Sequence, residues 1–239
     1  MKNDFYIYAA SICILVVLGF YAYQFHDYVL SKDVDDWNQF GGYVGGVLGP
    51  TFSFLSFVML IKSLNLQNES NASLREESRL NIKNEKLRSF ETHFFNLLGA
   101  QRESFEYFKL TINGKIYSGV EAVRELESAI QDLRAINATD EDITNFIKNC
   151  DADEKLFNTQ RTFFIVTKTI NQKLSDENGF SAEERKAHLE TMINFTEFSL
   201  LRVVLISMQF LSYRASKLLN ENDEFISVLE ELKLPINAY

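Results

Sequence analysis

"WNQFGGYVGGVLGPTFSFLSFVMLIK", residues 37–62, has no charged residue between its tryptophan and its lysine, and five glycines lie in its first half. In a water-exposed helix each interior glycine costs roughly 1 kcal/mol against alanine, so a soluble core helix would not carry five. A bilayer changes the balance. Backbone hydrogen bonds cannot be exchanged for water there, and glycines let a neighbouring helix come close. The stretch therefore points to a membrane protein. Residues 40–61 are uncharged and, as a helix, about 33 Å long, enough to cross the hydrocarbon layer.

Upstream lies a second such segment, "FYIYAASICILVVLGFYAY", nineteen uncharged residues at 5–23 that would span about 28 Å. Tyr6, Tyr8, Tyr21 and Tyr23 flank it, and Trp37 and Tyr43 open the second span, as expected of an aromatic belt at headgroup depth. A cleaved signal peptide is the competing reading. Its positive end would be Lys2 alone, and no small-x-small site follows Gly19, so a retained helix is expected.

The mean hydropathy of -0.12 averages over a lopsided chain. Residues 1–62 hold three Lys/Arg against five Asp/Glu, and the remainder of the 239 residues holds 21 against 28, for a net charge of -9. An acidic chain of this kind does not coat nucleic acid nonspecifically. The segment between the spans has one lysine and four aspartates, whereas Lys62, Arg75, Arg79, Lys83, Lys86 and Arg88 follow the second span. The positive-inside rule places both termini in the cytoplasm. Cys13 and Cys150 form neither a disulfide framework nor a zinc spacing.

Beyond Lys62 the pattern reads as helical, without strand-like alternation. A helix is expected from about Ser63 to Leu110, with Leu66, Ser73, Leu80, Leu87 and Phe94 seven apart and Phe90 and Leu97 on the companion seam. Its first turns are polar and read as a stalk; "FETHFFNLL" is apolar enough to enter a core. "TINGKIYSG" reads as a loop with a hairpin turn around Asn113-Gly114. Ser118 with Glu121, Thr139 with Asp142 and Ser181 with Glu184 are capping-box helix starts. The first opens a helix with Val123, Leu126, Ile130 and Leu133 on one face. Another helix is expected from about Ala152 to Leu174, carrying Leu156, Phe163, Thr167, Ile170 and Leu174. "FSLLRVVLISMQFLSYRASKLL" is interrupted by Arg202 and reads as a buried core helix rather than a third span. A last helix is expected near Asp223 to Leu232.

The catalytic inventory is thin. His26, His93 and His188 belong to no paired metal motif, and there is no phosphate loop or nucleophile elbow. His93 reads as a structural histidine and His188 as part of a solvated face. No enzymatic activity, cofactor, metal or small-molecule substrate is expected. Arg75, Arg79, Lys83 and Lys86 form a helical stripe, read either as a solvated face balanced by Glu76, Glu77 and Glu85 or as a docking strip for a nucleic-acid or acidic protein partner. Arg75 lies about 20 Å of helix beyond Lys62, more than a Debye length of about 8 Å, which disfavours a headgroup role.

On a helix Gly42, either Gly45 or Gly46, then Gly49, Ser53 and Ser56 step by three or four and make one small-residue face, with Gly41 beside it and Pro50 expected to kink or loosen the helix. This face could pack against the first helix of its own hairpin, against other copies, or both. In a ring of copies Ser53, Ser56 and glycine backbone would form a mildly polar lining.

Trp37, Phe40, Gly41, Gly45, Gly49 and Pro50, with Phe90, Phe94, Phe95 and Leu98 downstream, resemble the phage abortive infection proteins of bacteria, including two-transmembrane effectors encoded beside retron reverse transcriptases. Arg202, Leu205, Ser207, Phe210 and Tyr213 fit a later family segment in which Gln209 replaces a glutamate. The resemblance implies defence by abortive infection through membrane damage. For retron-associated members it implies a reverse transcriptase and its RNA–DNA product as partners.

The expectation is an all-α membrane protein. Residues 1–62 form a transmembrane hairpin (spans 5–23 and 40–61, outer loop 24–39), 63–88 a helical stalk, and 89–239 a helical cytosolic sensor and assembly domain. The protein would sit in the bacterial inner membrane and homo-oligomerise there to permeabilise or depolarise it. A non-toxic membrane adaptor that tethers a cytosolic complex is the alternative.

Overall fold

The glycine-rich stretch lies inside one helix of 73 residues, Val34–Glu106 (α2). A computed structural model describes residues 2–27, 29–151 and 153–239, the side chains of residues 2–7 excepted. The side chain of Tyr6, expected in the aromatic belt, and Ala152, expected to start a helix, lie outside the described residues. Among the described residues there are nine α-helices, one 3-10 turn and one two-stranded sheet, an all-α class with a small β insert. The chain divides into two compact units, Met1–Arg79 and Leu80–Tyr239.

The first unit holds Lys2–Gln24 (α1) and the first part of α2. The N-terminal turn of α2 begins where Asp33 Oδ1 accepts from the Asp35 N–H at 3.1 Å, and Asp35 and Asp36 add negative charge at the positive end of the helix. The helix thus starts ahead of the apolar span. Tyr21 of α1 sits 4.6 Å from the Phe40 ring and 5.7 Å from that of Tyr43. One described helix, α2, contains an 18-residue window long and apolar enough to cross a membrane, and none of that window is buried by protein; Tyr8–Gln24 adds a shorter apolar segment. Pro50 does not end α2.

The second unit is built around Phe198–Phe210 (α7). Ser199, Leu200, Leu201, residues 203–208 and Phe210 are all buried. A helix apolar on nearly every side needs protein on every side, and α7 is touched by Gly119–Ala135 (α3), Asp140–Cys150 (α4), Lys155–Lys173 (α5) and Arg214–Asn220 (α8). Each contributes an apolar stripe: Val123, Leu126 and Ile130 from α3, Ile143 and Ile147 from α4, and Leu156, Phe163 and Ile170 from α5. Ala182–Phe195 (α6) meets α7 at 113° and packs on Asp223–Glu231 (α9). The last turns of α2 insert Phe90, Phe94, Leu98 and Phe105 into this core, whereas Leu66 and Leu80 on the expected seam are exposed.

Three expectations are corrected here. The stretch expected as a loop at 111–119 is mostly strand, and the helix expected to reach Leu110 ends at Glu106: Lys109–Ile112 (β1) pairs antiparallel with Lys115–Ser118 (β2), Leu110 opposite Tyr117 and Ile112 opposite Lys115. Asn113 and Gly114 both take positive φ (51° and 77°), as a two-residue hairpin turn demands. Leu110 and Ile112 point into the core, but four residues are too few for alternation to stand out. Second, Ser118 makes no cap, because it still pairs with Lys109 at the end of β2; the chain enters α3 through Gly119 at φ 52°. The other two capping boxes form, at Thr139–Asp142 and Ser181–Glu184. Third, the apolar run after Glu197 is two helices, α7 and α8, separated at residues 211–213.

Candidate functional site

In the apolar stretch of α2 the half-buried positions are Phe40, Val44, Leu48, Phe52, Leu55 and Val58. Gly41, Gly42, Gly45, Gly46 and Gly49 are exposed, and a methyl group at any of the five would meet no heavy atom within 4 Å. Contact with α1 runs through Phe40 and Tyr43, and among the described residues the glycine face has no neighbour.

Pro50 has no hydrogen to give the Gly46 carbonyl, so one backbone acceptor on the glycine face loses its intrahelical donor. The hydroxyls downstream turn inward along their own helix. Thr51 Oγ1 donates to Val47 O at 2.7 Å and Ser53 Oγ to Gly49 O at 2.9 Å. Ser53 thus spends its hydrogen on the helix and offers only lone pairs outward. Ser56 is exposed.

The basic stripe divides. Arg75 and Arg79 are exposed in the first unit. Lys83 binds Glu184 of α6 at 2.9 Å and lies 5.0 Å above the Phe180 ring; Lys86 donates to Asn178 Oδ1 at 3.2 Å. The Ser181 N–H and then Lys83 hold the Glu184 carboxyl below its usual range. These two lysines anchor α2 to its own domain, though a half-exposed pair of this kind adds at most about 1 kcal/mol.

His188 is not on a solvated face. Its Nδ1 lies 2.8 Å from Glu184 O, and its ring stands edge-on to Phe90 and Phe94. His93 is exposed on an open cleft of about 860 Å³ with Lys86, Ser89 and Lys173. Among the described residues no three His, Cys, Asp or Glu side chains are grouped to hold a metal ion.

A buried polar network escaped sequence reading. Arg202 Nη1 donates to Glu127 Oε2 at 2.5 Å, the Tyr239 hydroxyl donates to the other Glu127 oxygen, and Gln209 exchanges hydrogen bonds with the Tyr239 backbone. Burial, then the Glu127 carboxylate, holds the Tyr239 phenol above its usual range. Arg202 inside an apolar run was the available signal; its partner lies 75 positions away.

Asp151, also missed, caps α5 by accepting from the N–H groups of Lys155 and Leu156 at 2.6 and 3.0 Å. Burial outweighs these donors and leaves its carboxyl above the usual range. Burial, reinforced by Asp151, pushes the neighbouring Cys150 thiol up to about 11. Near neutral pH that means about a hundredfold less thiolate than an ordinary cysteine has. Iodoacetamide should label Cys150 at pH 7.5 only after unfolding, as read by peptide mass spectrometry; prompt labelling in the native chain would show that the α4–α5 corner opens.

No family model matches the chain, and neither a curated protein nor a solved structure does.

Proposed function

We propose that this chain is a membrane effector of bacterial anti-phage defence, whose copies associate in the inner membrane and permeabilise or depolarise it. The observation that carries this reading is the glycine face of α2, which lies in or beside an unburied apolar window and has no neighbour among the described residues. In lipid such a face favours close helix approach, and a second copy can supply the helix. The resemblance of residues 37–50 and 90–98 to abortive infection proteins supplies the biological setting. In this reading α1 and the start of α2 form the hairpin, with both termini in the cytoplasm. Two helices enclose no aqueous path, so the lesion needs several copies. The Leu80–Tyr239 unit would receive the trigger.

Gly46→Leu tests it. Bacteria induced to make the parent chain should lose membrane potential and take up dye within minutes, or do so on phage challenge in the native gene context. The variant should fractionate with the membrane equally well and leave the potential intact. Depolarisation by both would remove the glycine face from the mechanism. If residues 1–62 can be exchanged for an unrelated two-span anchor without loss of protection, the chain is an adaptor.

A further inference from the structure

Phe95 of α2, Phe195 at the end of α6 and Phe198 at the start of α7 are 49%, 68% and 60% exposed. The Phe95 and Phe195 rings meet edge-on at 6.0 Å, and the Arg202 guanidinium lies 5.2 Å from the Phe198 ring. Large exposed rings gathered at one helix corner are candidates for an interaction surface. Beside them a narrow cleft is lined by Gln101, Arg102 and Glu197. Gln101 is 3% exposed, yet among the described residues neither its amide nitrogen nor its amide oxygen has a partner, a costly state for a buried amide. Arg102 and Glu197 are exposed, opposite in charge and on the same cleft. Among the described residues neither forms an ion pair.

We propose that this corner is where a second copy of the chain docks, about a two-fold axis. A two-fold interface presents one patch to itself, so the patch must complement its own charges. Arg102 and Glu197 do this: Arg102 of each copy faces Glu197 of the other, and the exchange is reciprocal. A lipid surface would favour a basic rim, which Glu197 opposes. The three rings then supply the apolar centre and the charges its rim. The surface belongs to the Leu80–Tyr239 unit alone and does not depend on the glycine face.

The test is a charge exchange in the full chain, purified in detergent. All samples carry Gly46→Leu, so that association through the span does not contribute. Two tagged forms are co-expressed and one is captured. The unsubstituted pair should be recovered together. Arg102→Glu with itself, or Glu197→Arg with itself, should fall at least tenfold, because each places like charges across the axis. Arg102→Glu mixed with Glu197→Arg should recover, since both contacts are then opposite in sign. Equal capture in all four pairings, or a mixed pair no better than the single ones, overturns the proposal. All substituted positions are exposed, and an unchanged far-UV circular dichroism spectrum certifies the fold.

Discussion

Arg202→Met lowers the stability of the helical domain by about 3 kcal/mol. Glu127 is buried and has two partners, the Arg202 guanidinium and the Tyr239 hydroxyl. Methionine preserves most of the apolar stem but leaves a buried carboxylate with one neutral donor. Removing one member of a buried pair typically costs about 3–5 kcal/mol; the lower end applies because the Arg202 side chain is 27% exposed. Adding Glu127→Gln removes the orphaned charge and keeps an acceptor for Tyr239. The double variant should regain at least half of the loss. Urea unfolding of the full chain in detergent, followed by far-UV circular dichroism, reads this directly. Tryptophan fluorescence would not, because the single tryptophan is Trp37, in the other unit. A single variant as stable as the parent would mean that water, rather than Arg202, solvates Glu127.

Adjacent phenylalanines in "FETHFFNLL" should behave oppositely. Phe94 is fully buried, 5.5 Å from the Phe90 ring and 6.1 Å from that of His188. Phe94→Ala removes a ring from a close-packed site and should cost about 3–5 kcal/mol. Phe95, half exposed on the next position, should cost under about 1 kcal/mol in the same unfolding experiment. Equal losses would mean that the last turns of α2 are rotated from the arrangement described here.

Much of this architecture could be read from local pattern. Val123, Leu126 and Ile130 repeat at helical spacing and line the core, and Thr139 and Ser181 cap where their spacing to Asp142 and Glu184 predicts. Asn113-Gly114 marked the hairpin turn. What escaped depends on groups far apart in sequence. Nothing at residues 211–213 resembles a helix stop. The carbonyls at the end of α7 are satisfied instead by Thr144 to Phe210, Ser216 to Ser207 and Asn220 to Met208. Ser118 had a cap's spacing, but pairing with Lys109 claimed its backbone. The glycine face was legible as a pattern; that α1 leaves it bare depends on which side of α2 meets Tyr21, and periodicity does not encode that choice.

The central position of α7 also sets a schedule for synthesis. α3, α4 and α5 leave the ribosome with apolar stripes that only α7 and its neighbours cover. α3 begins at Gly119 and α7 ends at Phe210. At about 5–20 residues per second, roughly 5–20 s separate the two. During that interval the nascent chain carries uncovered core surface beside an apolar N-terminal segment. Under the proposed function, early entry of that segment into the bilayer would keep the two apolar regions of one polypeptide from collapsing onto each other.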